Sequence, residues 1–336
     1  MTTTALLARR ERLLGAGAPL FYTEPVNIVR GEGVWLFDPD GRRYLDLYNN
    51  VPCVGHAHPH VVAAMHRQAA TLNVHSRYLH AGILDYAERL MDLHANPLTS
   101  VVFTCTGTEA NEVAMRMART VTRARGIICT NAGYHGNSAE VGKLTHAQPG
   151  QSAEIRSIPY PQRYRPLRDD VPEAELTELY LAEVRSAIDD FATNDIAFAG
   201  MLVCPILANE GLPDIPRGFM PRAAEIVREA GGLFIADEVQ AGFCRTGQWW
   251  GYEVTDFVPD IVTMGKPMGN GLPLAACAAT LELVDVFRKQ TRYFNTFASS
   301  PLQAAVGMAV LDVIETEELR QNAAQVGAYL RSELEA

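Results

Sequence analysis

An α/β chain, with a mostly parallel sheet covered by helices on both faces, is the architecture that three features predict. From Leu98 onward short apolar runs alternate with stretches of helical period, the rhythm of consecutive βα units. Thr106, Asp237 and Lys266 fall directly after such runs, at the carboxyl ends of strands, where open α/β sheets gather ligands. The 336 residues also exceed a typical single core, so one large domain with a smaller one is expected.

Composition narrows the function classes. Hydrophobic residues make up 48% and charged residues 20%, with no low-complexity tract or internal repeat, as in ordinary globular proteins. The net charge of -10, from 39 acidic against 29 basic side chains, argues against a nucleic-acid surface. No apolar run is long enough to span a bilayer. Met1 to Leu14 carries Arg9, Arg10 and Arg12 without the apolar core of a signal peptide, so a cytoplasmic location with no membrane partner is expected. The six cysteines, Cys53, Cys105, Cys129, Cys204, Cys244 and Cys277, form no CxxC pair and read as small buried hydrophobes.

Taken in order, the first element is a hairpin. Val34–Phe37 and Tyr44–Leu47 are β-like runs joined by Asp38-Pro39-Asp40-Gly41, a turn in which Pro presets φ and Gly closes the bend. His56, His58 and His60 alternate, and in a strand they would share one face as metal ligands. Pro59 and the helical pattern of Val61, Val62, Met65, Ala69 and Leu72 favour a loop leading into a helix, with His58 near its N-cap and no metal.

The strand Val101–Thr104 comes next, and Ala110, Val113, Ala114, Met117 and Ala118 then repeat at helical spacing. Thr106 with Glu109 three residues on is a capping-box pattern. Such a helix N-terminus offers free N–H groups and a positive dipole to a phosphate, although an ordinary capped helix carries the same pattern. Ile127–Cys129, Gly200–Val203 and Leu233–Ala236 are further strands. Tyr134-His135-Gly136 follows the first of these and offers an aromatic face that can stack on a planar cofactor or simply pack. Asp237 ends the last, where a carboxylate can pair with a ring N–H. Lys266 lies 29 residues further on, room for one crossover between two strands of one sheet.

Lys266 ends the run from Asp260 and is followed by Pro267, Met268, Gly269, Asn270 and Gly271, residues that hold irregular backbone near a ligand. A lone lysine after a strand is commonly a surface charge. A partly desolvated one loses its proton more easily and can attack a carbonyl carbon as a Schiff-base nucleophile. A phosphate turn, an aromatic ring, a carboxylate and a lysine, all at strand ends, form a specific set.

These motifs resemble the class III aminotransferases, pyridoxal-phosphate (PLP) enzymes of fold type I. The resemblance rests on GHAHP (55–59), TGTEANE (106–112), YHG (134–136), IADEVQAGFCRTG (235–247), TMGKPMGNG (263–271) and YFNTF (293–297), and runs from Val26 to the end. It implies a large domain with a mostly parallel seven-stranded sheet covered by helices, plus a smaller α/β domain. The boundaries implied are 1–50 for an N-terminal segment of the small domain, 51–297 for the PLP-binding domain and 298–336 for the start of the C-terminal small domain. By the same resemblance, Ala336 is expected to fall within the early part of the C-terminal small domain, before the family's remaining small-domain strands and their arginine.

Carried over by position, the resemblance makes Lys266 the Schiff-base lysine and acid/base, and Asp237 the partner that keeps the pyridine nitrogen protonated. It makes Thr106, Gly107 and Thr108 the phosphate turn, and Tyr134 and Val239 the covers of the two ring faces. His135 joins the cofactor-binding set, and Gln240 reaches the ring hydroxyl. Thr296 matches a threonine that reaches the neighbouring subunit's cofactor, which implies a homodimer or larger with a shared site. Cys204 stands where many members have a glutamate that gates α-carboxylate substrates, which sets this chain apart from them.

NNV (49–51), NVHSRYLH (73–80) and PDIVTMGKPMGN (259–270) are similar to the branch of alanine-glyoxylate type 2 enzymes and ethanolamine-phosphate phospho-lyases. Within it, Arg77 and Tyr78 are the candidate substrate-binding residues, Arg77 because a guanidinium matches phosphate geometry; a surface ion pair is its plainer use. Transfer of an amino group between an amine or amino acid and a keto acid or aldehyde is the first expectation. The alternative is elimination of phosphate and ammonia from an amino-alcohol phosphate, and a third reading is a cofactor-binding but inactive subunit.

Overall fold

The computed structural model of the chain describes residues 3–147, 150 and 152–336. After helix α1 (Thr3–Leu14) the chain forms a three-stranded antiparallel sheet of β1 (Arg30–Glu32), β2 (Trp35–Phe37) and β3 (Arg43–Leu45). The expected hairpin is β2–β3, with Trp35 opposite Leu45 and Leu36 opposite Tyr44. Asp38 organises its turn. Oδ1 accepts the N–H groups of Asp40 at 3.1 Å and Arg42 at 2.9 Å, and Oδ2 accepts the Tyr44 hydroxyl at 2.9 Å. Strand β3 is shorter than the expected Tyr44–Leu47 because Asp46 bends the chain, accepting the N–H groups of Tyr48 and Asn49.

His58 is the N-cap of α2 (Pro59–Ala69), and its Nδ1 accepts the N–H of His60. The alternate histidines diverge to three carboxylates: His56 to Asp46 at 2.7 Å, His58 to Glu317 at 2.9 Å and His60 to Asp312 at 3.0 Å. Among the described residues no group of three or more His, Cys, Asp or Glu is arranged to hold a metal ion. After α3 (Ala81–Asp92) the main sheet begins.

Its seven strands are β4 (Ser100–Thr104), β5 (Gly126–Thr130), β6 (Ile155–Ile158), β7 (Phe198–Val203), β8 (Leu233–Asp237), β9 (Ile261–Met264) and β10 (Ala275–Ala279), in the order β4-β10-β9-β8-β7-β5-β6. Neighbours from β9 to β6 run parallel, and β10 is antiparallel to both β9 and β4. Alternation along each strand feeds two apolar layers, one on each face. Val102, Ile127, Ile235 and Ile261 enter one layer, and Phe103, Ile128, Ala236 and Val262 enter the other.

Helix α4 (Gly107–Thr122) packs over the centre of the sheet and against α8 (Leu281–Thr291). Helices α5 (Glu173–Thr193) and α6 (Phe219–Glu229) pack together on the opposite layer. The short α7 (Gly251–Val254) lies in the crossover between β8 and β9, as the spacing from Asp237 to Lys266 predicts. Helix α9 (Pro301–Thr316) packs on α2 and α3, and α10 (Leu319–Glu335) follows without a buried residue. Cys129, Cys204, Cys244 and Cys277 are buried, whereas Cys53 and Cys105 are half-buried; all six are free. No helix of the described residues is long and apolar enough to cross a membrane.

Candidate active site

Five strand ends meet at one edge of the sheet. Strand β8 stops on Asp237, and β9 runs out at Met264 just before Gly265 and Lys266. Strand β4 leads to the start of α4, β5 leads to Tyr134 and His135, and β7 hands over to Cys204. A cavity of about 180 Å³ opens there. Thr106, Gly107, Thr108, Tyr134, His135, Asp237, Val239, Gln240 and Lys266 line it, together with Gly136, Cys204 and Asn209. A larger hollow of about 620 Å³ between α3 and α8 contains neither Lys266 nor Asp237, so the smaller cavity is the candidate site.

Asp237 is buried and fully oriented. Its Oδ2 accepts from His135 Nδ1 at 2.7 Å and from Asn111 Nδ2 at 3.0 Å, and its Oδ1 accepts the N–H of Val239 at 3.0 Å. Asn111 is itself held: Nδ2 also donates to the His135 carbonyl at 2.7 Å, and Oδ1 accepts the Thr263 hydroxyl at 2.6 Å. Sequence reasoning missed Asn111. Its signal was there, since Asn111 lies one turn into α4 on the face that carries Ala110 and Ala114, where an amide is buried only with partners.

Lys266 is half-buried. Burial lowers its pKa below the ordinary lysine value, the Asp237 carboxylate opposes that shift, and the Arg245 guanidinium adds to it. Cys204, buried in the cavity wall, has its thiol pushed up by burial first and then by Asp237. Glu238 faces away from the cavity. Its carboxylate accepts the N–H groups of Gly251 and Tyr252, both at 2.8 Å, and ties the loop after β8 to the start of α7.

The α4 terminus departs from a full capping box. The Thr106 hydroxyl accepts the Glu109 N–H at 3.1 Å, but the Glu109 carboxylate accepts from the N–H of Cys105 rather than that of Thr106. Gly107 and Thr108 belong to the first turn, whose N–H groups have no acceptor within the helix. Backbone comes unusually close here. A Cβ on Gly107 would stand 2.6 Å from Val239 Cγ1, and one on Gly136 (φ +141) would stand 2.6 Å from Thr108 Oγ1.

Thr296, Arg77 and Tyr78 lie elsewhere. Tyr78 and Thr296 line a separate hollow of about 310 Å³ with Asn73, Val74, His75, Phe297 and Ser300. Arg77 lies beside it, its guanidinium 4.2 Å from the centre of the Phe294 ring. Within one chain these three residues are not brought to Lys266.

Residues 21–336 match the family described as Aminotransferase class-III. The chain belongs to that family. Class-III aminotransferases are PLP-dependent enzymes, and this one is 39% identical to alanine–glyoxylate aminotransferase 2 homolog 2 of Arabidopsis thaliana, over 98% of this chain and 69% of that relative. Among solved structures it is similar to a phospholyase from Arthrobacter in complex with phosphoethanolamine, with TM-score 0.93 and 42% identity over 98% of this chain and 79% of the other. It also resembles an (S)-enantioselective omega-transaminase from Thermomicrobium roseum, with TM-score 0.87 and 28% identity over 99% and 80%. The cavity of this class-III aminotransferase fits a flat, phosphate-bearing pyridine. Asp237 can meet a ring N–H, the crowded Gly107 and Gly136 backbone leaves a side-chain-free cradle at a helix N-terminus, and Lys266 stands at the same mouth.

Proposed function

We propose that this chain is a PLP-dependent aminotransferase whose chemistry is centred on Lys266. One observation carries the reading: an amine with a lowered pKa, a buried and oriented carboxylate, and a helix N-terminus share one small cavity. PLP, when bound, supplies a protonated pyridine that accepts the electrons left on a substrate carbon after proton removal. Of the residues lining the cavity, Asp237 would receive the ring N–H, Gly107 and Thr108 with Thr106 would hold the phosphate, Tyr134 and Val239 would cover the two ring faces, and Gln240 would meet the ring hydroxyl. Lys266 anchors the cofactor and, as a free neutral amine, takes the proton from the substrate Cα. Burial raises the neutral fraction of that amine. Thr296 completes the site from a neighbouring copy, and Tyr78 and Arg77, on the same surface, come with it.

A second reading, elimination of phosphate from an amino-alcohol phosphate, has its own support. The identity to the Arthrobacter phospholyase is 42% against 28% to the omega-transaminase, and Cys204 occupies the cavity wall where a gating glutamate would discriminate α-carboxylate substrates. Removal of the same Cα proton is then followed by departure of phosphate from the next carbon, with Arg77 gripping the leaving group.

The deciding experiment incubates the purified protein with PLP and ethanolamine phosphate, without a keto acid, and assays free phosphate and the amino form of the cofactor. Conversion of the cofactor without phosphate release supports transamination, and phosphate in excess of enzyme supports elimination. Lys266→Ala abolishes either outcome; full activity in that variant would overturn the assignment.

A further inference from the structure

The start of α4 and the turn that carries Thr296 are far apart in sequence, and one side chain, Glu109, holds both. Its Oε2 accepts the N–H of Cys105, the residue just before Thr106, at 2.7 Å. The same oxygen accepts Asn295 Nδ2 at 3.4 Å, across 186 positions of sequence. Asn295 in turn shapes the segment around Thr296: its Oδ1 accepts the N–H groups of Phe297 at 3.1 Å and Ala298 at 3.2 Å, an Asx-type turn. Thr296 and Phe297 are themselves exposed. A second stay reaches the same place from beyond the turn. Gln303, in the capping box that Ser300 makes at the start of α9, donates to the Pro273 carbonyl at 2.7 Å and lies 3.7 Å from Cys105 Sγ. Both stays therefore end at Cys105, next to the expected phosphate turn.

We propose that Glu109 is a positioning residue for two cofactor sites: it sets the phosphate turn of its own chain and, through Asn295, the turn that presents Thr296 to the cofactor of a neighbouring copy. The inference rests on the PLP reading of the cavity and on the shared site that goes with it. Within one chain Thr296 lines a hollow separate from the cavity of Lys266, so the two ends of the Glu109 link serve different sites. A hydroxyl on an exposed turn binds phosphate well only if the turn is ordered beforehand, because ordering it on binding subtracts from affinity. Asn295 folds that turn, and Glu109 fixes where it stands relative to α4. The role needs an acceptor oxygen at the end of the side chain and no particular charge, since both partners of Oε2 are N–H donors.

The test compares the affinity of the purified protein for PLP and for pyridoxal, which has the same ring and aldehyde but no phosphate, read from the absorbance of the lysine-linked cofactor. Glu109→Ala and Asn295→Ala each lower the affinity for PLP by about tenfold, the share of one hydrogen bond to a charged group, and leave that for pyridoxal unchanged. Glu109→Gln, whose amide oxygen can accept from both donors, retains the wild-type values. Mixed dimers with Lys266→Ala chains, in which only the other chain can link the cofactor, show which site Asn295 serves. Asn295→Ala weakens PLP capture when it sits on the Lys266→Ala chain and has no effect when it sits on the chain with Lys266 intact; this arm carries the test if Glu109→Ala does not fold. Equal losses for PLP and pyridoxal, an effect of Asn295→Ala confined to its own chain, or a wild-type protein that binds PLP as a monomer overturns the proposal while leaving the cofactor reading intact. Failure of the wild-type protein to bind PLP overturns both.

Discussion

At the scale of single residues the candidate site rests on two ionisable groups. Lys266 is driven towards its neutral form by burial, and Asp237 is held in place by hydrogen bonds from His135, Asn111 and the N–H of Val239. Capture of PLP by the cofactor-free protein is therefore expected to speed up as pH rises, with a midpoint below the ordinary lysine value of 10.5. Stopped-flow absorbance across pH measures this, and a midpoint at or above that value would contradict the lowered pKa. Asn111→Ala removes one donor to Asp237 and leaves the buried Thr263 hydroxyl without its acceptor. A loss of about 1–3 kcal/mol in urea unfolding is expected, the cost of one unsatisfied buried polar group, together with weaker PLP binding. Unchanged stability and affinity would mean that the amide is dispensable.

At the scale of elements the segment after β8 is set by Glu238, which is buried and pushed up to about 8 by loss of solvation against the pull of two backbone N–H donors. The sign follows from linkage. The folded state holds a proton on Glu238 between the unfolded value of 4.5 and about 8, so this group's contribution to stability declines as pH rises through that window. Urea midpoints measured across it should show a flatter pH dependence in Glu238→Gln than in the wild-type protein; identical slopes would remove Glu238 as their source. Helix α4 makes a comparable point about capping. Thr106 alone satisfies the Glu109 N–H, and Thr106→Ala is expected to cost about 1 kcal/mol in thermal or urea unfolding.

At the scale of the whole molecule α9 packs on α2 and α3, with a tight contact at Gly307. A Cβ there would lie 2.4 Å from Cζ of the buried Tyr86 ring. Two effects compete in Gly307→Ala. Helix propensity favours alanine by about 1 kcal/mol, whereas overpacking a rigid ring costs about 1–3 kcal/mol, so net destabilisation is expected. A raised denaturation midpoint would show that α3 and α9 can separate without loss.

Much of this was legible in the chain itself. Strands β4, β5, β7, β8 and β9 announce themselves as apolar runs of branched residues, and TGTEANE, DEVQ and TMGKPMGNG mark the chemistry at strand ends, because turn residues and charges are readable locally. Strands β6 and β10 were not readable. Ile-Arg-Ser-Ile is too short and mixed to stand out at a sheet edge. Ala-Ala-Cys-Ala-Ala favours helix by propensity, yet it is buried between β4 and β9 beneath α4, where small side chains let the helix approach closely. The same holds within the site. Lys266 and Asp237 could be placed at strand ends from the sequence, whereas the partnership of Asn111, Thr263 and His135 around Asp237 exists only because α4, β9 and the turn after β5 converge. Hydrogen bonds between residues more than a hundred positions apart leave no period and no motif, and only the packed sheet decides them.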